Sequence, residues 1–235
     1  MIKVNQVVSH AEAEKLRGAA LVGICLGDPG TTDKRVVDAT AFAALQETIG
    51  RRTALHVDAS AGYSPDDVVD IVESLRPAYF EFTSADPAKI SAVDEQLDLL
   101  RRITVPKIAN GFFILKDDVS LLDSLGHLDR LVDAGVAYFQ METDSLIDTR
   151  FRISASNRKR VAAMFAGYPC IVGDTSTAVP VLPDFGQVGV YFNLGNGRTP
   201  NYDFSDRSTP LSGVVRALRS RDRSDSTAAV RLFDT

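Results

Sequence analysis

Eight apolar, β-rich runs alternate with eight stretches of helix length, which predicts a single α/β domain, a closed (β/α)8 (TIM) barrel. Two further observations favour it over an open, doubly wound sheet. A length of 235 residues suits one such barrel. The segment "VNQVVSHAE" after the first run lacks the G-x-G-x-x-G turn that opens a dinucleotide-binding sheet. The doubly wound sheet stays as the alternative.

The elements follow in order. "IKVNQVV" (Ile2–Val8) is the first strand, and the helix formers of "HAEAEKLRGA" follow it. "ALVGICLG" (Ala20–Gly27) is the second strand, with "DATAFAALQETIG" an amphipathic helix closed by Gly50. "TALHVDAS" (Thr53–Ser60) is the third strand; its helix starts with Ser64 as N-cap and Pro65 in the first turn. "AYFEFTS" (Ala78–Ser84) is the fourth, followed by the helix "AVDEQLDLLRRI". The start of "VPKIANGFFIL" supplies the fifth, and "SLLDSLGHLDRLVDAG" its helix, closed by Gly135. "AYFQMETD" (Ala137–Asp144) and "NRKRVAAMFAG" form the sixth unit. "PCIVGD" (Pro169–Asp174) is the seventh strand; its connection "TAVPVLPDFG" holds two prolines and allows a turn or two of helix at most. "QVGVYFNLG" (Gln187–Gly195) is the eighth strand and "TPLSGVVRALRSR" the closing helix. The barrel is expected over residues 1–218, with residues 219–235 an extended, charged, serine-rich C-terminal tail. Its apolar stretch "AAVRLF" suits docking on a surface or on a neighbouring subunit, so a homodimer is one possible assembly and the sequence leaves the oligomeric state open.

Composition excludes several function classes. A hydrophobic fraction of 45% with 24% charged residues is that of a soluble globular domain. Net charge is −5 with no long block of one sign, so neither nucleic acid nor an anionic membrane surface is an expected partner. No apolar run is long enough to span a bilayer, and "MIKVNQVVSHAEAEK" does not read as a secretory signal. Cys25 and Cys170 each sit in an apolar run and read as buried thiols of a cytoplasmic protein. Three scattered histidines and two isolated cysteines give no zinc pattern, so no metal or other cofactor is expected.

In such barrels the chemistry gathers at the carboxyl ends of the strands. There the sequence offers Asn5 and Gln6, the loop "GDPGTTDKR" with Arg35, then His56 and Asp58, Glu81 and Thr83, and Lys107 to Asn110. Gln140, Glu142 and Asp144 recur at period two, so they share one face of the sixth strand. A phosphate site is expected in the loops after strands seven and eight, where Gly173, Thr175, Ser176, Gly195, Asn196 and Gly197 let main-chain amides approach an anion and Arg198 adds charge. The competing reading of those loops is ordinary turn chemistry. Glu142 and Asp144 are acid–base candidates, against a structural ion pair with Lys107 or Arg35. His56 and Asp58 either move protons together or His56 is a hydrogen-bonded core histidine. Lys107 offers a Schiff-base amine or, at the strand's foot, an ion pair.

Several of these segments resemble phosphoribosylanthranilate isomerase. That family opens on a V-K-I-C-G-like strand, matched by "IKVNQ"; its second strand and loop resemble "VGICLGDPGTTDKRVVDATAF", with Arg35 at the family's arginine. "ALHVDAS" is similar to its third strand, "FEFTSAD" to its fourth, and "FQME" to the L-L-D end of its sixth. The resemblance covers most of residues 1–215 through short, mainly hydrophobic matches. It implies a barrel isomerase, and it also marks departures. The family's basic cysteine is Asn5 here, its acidic aspartate is Glu142 with Asp144 as rival, and its phosphate loop reads "GDTST".

Together these readings predict an isomerase or lyase that does acid–base chemistry next to a carbonyl of a small phosphorylated or anionic substrate. Glu142 serves as acid and Asp58 or Asp144 as base. Asn5 and Lys107 orient an oxygen, and His56, Glu81 and Arg35 bind the substrate. The alternative is a non-catalytic descendant that binds a ligand or partner protein, favoured by the missing cysteine.

Overall fold

Parallel strands joined through helices are covered on both faces, and every residue of the second strand, Leu21–Leu26, is buried. The computed structural model describes residues 1–30, 35–114, 119–143, 153–174, 186–195 and 208–220. It contains β1 (Ile2–Asn5), β2 (Leu21–Leu26), β3 (Thr53–Val57), β4 (Tyr79–Thr83), β5 (Lys107–Ile114), β6 (Val136–Thr143), β7 (Cys170–Asp174) and β8 (Gly189–Asn193). Each pairs in parallel with the next and β8 returns to β1, so the sheet is a closed barrel and the open doubly wound sheet is excluded. The helices are α1 (His10–Lys15), α2 (Ala39–Ile49), α3 (Pro65–Leu75), α4 (Ile90–Arg102), α5 (Leu125–Asp133) and α6 (Ala155–Gly167). Residues 211–220 are also helical, so Arg219 and Ser220 continue the closing helix, while residues 221–235 lie outside the description.

Local chemistry sets the boundaries. Ser64 caps α3 in a reciprocal box with Asp67, behind Pro65. Asp38 accepts from Ala41 N to start α2, and Gly50, at φ 66°, ends it. β1 stops at Asn5, three residues short of expectation, because Gln6 takes φ 65°. β3 stops at Val57, because Asp58 caps a short turn over Ala59–Ala61. β5 runs further than expected, eight residues, by absorbing a register shift between Ala109 and Phe112. Gly111 makes that bulge possible at φ 89°; a Cβ there would meet Thr83 Cγ2 at 2.9 Å.

The main apolar core lies between sheet and helices, where Phe80, Phe139 and Met141 pack among residues such as Phe42, Leu97, Leu131 and Phe165. Exposed ion pairs tie α4 to α3 (Arg102 to Asp66), α5 to α4 (Arg130 to Asp94) and α6 to the turn before α5 (Arg160 to Asp123). Each such pair adds about 1 kcal/mol at most, so the belt sets order more than stability. Inside the barrel the composition changes with height. Leu21, Ala54, Ile108, Ile171 and Tyr191 form an apolar plug at the amino ends, with Met1, Tyr79 and Tyr138 against it. Above the plug the inward positions become polar.

Barrel closure is tight at the β8–β1 seam. A Cβ at Gly189 would lie 2.5 Å from the Met1 carbonyl oxygen, which accepts from Val190 N at 3.0 Å. Gly189→Ala is expected to lower unfolding stability by roughly 1–3 kcal/mol in urea titrations. Gly167→Ala, at a site with open space, is expected to leave it unchanged or slightly raised.

Candidate active site at the carboxyl end of the barrel

The lumen is crossed by one connected polar network. Lys3 Nζ sits 2.8 Å from Glu81 Oε2, and both side chains are 0% exposed. The same ammonium donates to Gln140 Oε1. Asn5 Nδ2 donates to Gln140 Oε1 at 3.2 Å and to Asn193 Oδ1 at 2.9 Å. Asn110 Nδ2 donates to Glu81 Oε1 at 3.2 Å. The chain of contacts thus links β8, β1, β6, β4 and β5 through side chains that all point inward. Register explains their convergence: Asn5 lies opposite Asn193, and Glu81 opposite both His56 and Ile108. Gly23 makes room for it, since a Cβ there would sit 2.5 Å from Asn5 Oδ1.

Among the described residues, Asn5 Oδ1 and Asn110 Oδ1 in this floor are buried acceptors that make no hydrogen bond. The amide nitrogens of both residues are engaged, which orients the oxygens. A buried acceptor left open costs about 1–3 kcal/mol, so such atoms mark where a ligand group would sit.

The predicted residues divide into three sets. Asn5, His56, Glu81 and Glu142 come together: all four are buried on inward positions of the upper barrel. Glu142 lies in register with Gly173 and Phe113, two residues above Gln140, which places it about 6–7 Å nearer the mouth than the network. Asp58, also buried, follows the last residue of β3, two positions on from His56. Its carboxylate accepts from Ser60 Oγ at 2.6 Å.

The second set makes other contacts. Lys107 begins β5 at the opposite end and is in register with Phe80 and Val136, both of the outer core. Its ammonium donates to the Ile103 carbonyl at 2.7 Å. It therefore anchors the foot of a strand and does not reach the mouth. Arg35 is held by Glu12 and by the Gln6 carbonyl, 3.0 Å from its Nε. It buttresses the loop after β1. Gly195 gives its N–H to the Thr209 carbonyl. At Gly173 the side-chain space is taken by the Tyr191 ring, with Cζ 2.4 Å from where a Cβ would stand, so packing also calls for a glycine there. The third set, Asp144, Thr175, Ser176, Asn196, Gly197 and Arg198, lies outside the described residues.

Lys3 and Asn193 are the members sequence reasoning overlooked. The signal was present: Lys3 stands two residues before Asn5 in an otherwise apolar strand, hence on the same face. A separate polar pair lies outside the lumen. Ser84 Oγ and His127 Nε2 are 2.8 Å apart, in a groove of about 400 Å³ between the ends of β4 and β5 and the start of α5.

Burial pushes the His56 imidazole below its ordinary 6.5; Glu81 and Asp58 oppose this, and Lys3 reinforces it. Burial and then Arg130 lower His127 in the same direction. Burial lowers Lys107 against the pull of Glu73. Among the described residues no His, Cys, Asp and Glu side chains gather closely enough to hold a metal ion, and no helix is long and apolar enough to cross a membrane.

Comparison with known proteins agrees with this architecture. No protein-family model and no curated protein matches the chain. Solved structures do. N-(5'-phosphoribosyl)anthranilate isomerase from Pyrococcus furiosus superposes with a TM-score of 0.57 at 14% identity, over 94% of this chain and 98% of that one. A truncated 3-deoxy-D-arabino-heptulosonate 7-phosphate synthase from Thermotoga maritima gives 0.56 at 11% identity, over 97% and 86%. A 3-dehydroquinate dehydratase from Aquifex aeolicus gives 0.51 at 12%, over 94% and 98%. The chain shares the fold of these barrel enzymes. The isomerase suggested by the sequence is one structural neighbour among several with different names.

Breaking the central ion pair leaves an uncompensated buried charge. Glu81→Gln is expected to destabilise the fold by about 3–5 kcal/mol in denaturant titration. The double change Lys3→Met with Glu81→Leu is expected to recover most of that loss. The two lowered histidines set an acid limit. Their folded forms release protons that the unfolded chain still binds just below pH 6.5, so stability is full above that pH and falls as the solution is acidified. Thermal midpoints measured from pH 7.5 to 5.5 are expected to drop, with a slope of at most about 1.4 kcal/mol per pH unit for each histidine. His56→Gln is expected to flatten that slope.

Proposed function

We propose that this chain is a barrel enzyme that moves a proton next to a carbonyl group in a small phosphorylated or otherwise anionic substrate. The observation that carries this reading is the open-acceptor floor: Asn5 Oδ1 and Asn110 Oδ1, buried and without donors, beneath Glu142 at the carboxyl end of the lumen. Barrel interiors are ordinarily filled with branched apolar side chains. Here two charges and four carboxamides occupy that space, and their burial is costly unless the site uses them.

Glu142 acts as the proton donor and Asp58 is the carboxylate available as base. Both Asp58 oxygens accept from Ser60, Oδ2 from the hydroxyl at 2.6 Å and Oδ1 from the main-chain N–H at 3.3 Å, which fixes its orientation. Asn5 does not replace the thiol base of the resembling family, since a carboxamide has no proton-accepting lone pair of useful basicity near neutral pH. It serves instead as an orienting group for a substrate oxygen. Two of the structural neighbours are named for phosphorylated compounds, which supports an anionic substrate. The residues expected to hold a phosphate are those of the loops after β7 and β8. A binding protein without turnover is the second reading, favoured by Asn5 being engaged with Gln140 and Asn193.

Solvent-deuterium exchange into D-ribulose 5-phosphate, followed by NMR, tests the first reading. Wild-type protein is expected to exchange the proton next to the carbonyl, and Glu142→Gln to slow this by roughly a hundredfold or more. Binding with no exchange between pH 5 and 9 would establish the second reading and overturn the first.

A further inference from the structure

Gln6 combines three features that sit badly together in a purely structural residue. Its backbone is left-handed at φ 65°, unfavourable for a residue with a side chain. Among the described residues the other non-glycine of this kind is Arg76, which ends α3, where a left-handed residue is ordinary. Gln6 instead ends a strand at the carboxyl end of the barrel. Second, the residue is 1% exposed, yet neither Oε1 nor Nε2 makes a hydrogen bond. Third, its conformation is held from several sides. Arg35 Nε binds its carbonyl at 3.0 Å and is itself paired with Glu12. The other Glu12 oxygen accepts from Val8 N at 2.9 Å, and Val7 N donates to the Gly23 carbonyl at 3.1 Å.

Glycine would take this backbone conformation without strain and would bury no amide. The local fold therefore supports a costly residue with a dedicated Arg35–Glu12 brace. Strain kept in place by its surroundings gathers at ligand clamps.

We infer that Gln6 determines substrate specificity, its carboxamide binding the adjacent hydroxyl and carbonyl groups of an α-hydroxy carbonyl compound. This rests on the proton-transfer reading of the same barrel mouth. A carboxamide presents one donor direction and one acceptor direction side by side. Its complement is a group with an acceptor next to a donor, which an α-hydroxy ketone or aldehyde supplies: Nε2 donates to the carbonyl oxygen and Oε1 accepts from the hydroxyl. The neighbouring Asn5 Oδ1, also open, accepts from the next hydroxyl along the chain. A substrate with this pattern is one whose carbon-bound proton lies next to a carbonyl.

Calorimetric titration of the whole chain with D-ribulose 5-phosphate, D-ribitol 5-phosphate and inorganic phosphate tests this, in wild type and in Gln6→Gly. The glycine variant keeps the backbone conformation, and its thermal midpoint is expected to be no lower than that of wild type. It is expected to bind D-ribulose 5-phosphate roughly tenfold more weakly or worse, with inorganic phosphate affinity changed by less than about twofold. Unchanged affinity for D-ribulose 5-phosphate overturns the assignment. A midpoint several degrees lower also overturns it, because Gln6 would then be a packing residue. Wild type that binds both sugar phosphates equally refutes the carbonyl pairing but leaves the barrel-mouth reading in place. Wild type that binds none of the three overturns both.

Discussion

A fully buried lysine–glutamate pair at the centre of the barrel constrains everything built around it. Lys3 and Glu81 are both sealed from water, so each charge must find its compensation within the lumen. Direct contact supplies part of it. More comes from Gln140 and Asn110, which place amide oxygen and nitrogen against a second ammonium proton and the other carboxylate oxygen. Once those amides are committed, Asn5 and Asn193 are drawn in through Gln140. One ion pair thereby dictates the inward residues of five strands and divides the interior into an apolar lower half and a polar upper half.

That division makes the two ends of the barrel unequal. The lower half is filled by rings and branched chains from Met1 to Tyr191, and it closes the cylinder much as an ordinary core would. The upper half is rigid through hydrogen bonds and is incompletely satisfied. Rigidity and incompleteness together are what a binding floor requires: the donors and acceptors are held in place before any ligand arrives. Cradled above are the two carboxylates of Glu142, on β6, and of Asp58, just past the end of β3. The brace from Arg35 and Glu12 to the end of β1 extends the same logic into the first loop, where a strained residue is held in a conformation it would not choose.

Much of this was legible in the residues themselves. Period two placed Glu142 above Gln140 on a common face, because neighbouring side chains in a strand alternate. The N-cap at Ser64 followed from local chemistry that no tertiary contact overrides. Other features were not legible. Lys107 carries the charge and setting of a site residue, yet its parity in β5 turns it outward. Only the register with β4 and β6 reveals that. The bulge at Gly111 looks like any glycine in an apolar run, and its consequence, a longer and kinked β5, depends on Thr83 across the strand. Gly173 and Gly195 share the composition of a phosphate loop; the structure adds that Gly173 admits the Tyr191 ring and that Gly195 bonds Thr209, contacts that no local pattern announces.

By itself the sequence determined the barrel class, the order of its units and the residue types available at the upper rim. These depend on periodicity, caps and composition, which act over a few residues. The tertiary structure alone decided which of those residues meet. Lys3 and Glu81 are separated by 78 positions, and Asn5 and Asn193 by 188, and nothing local ties them. Closure of the cylinder brings them within hydrogen-bonding distance, and burial then makes each dependent on the others for its missing partner.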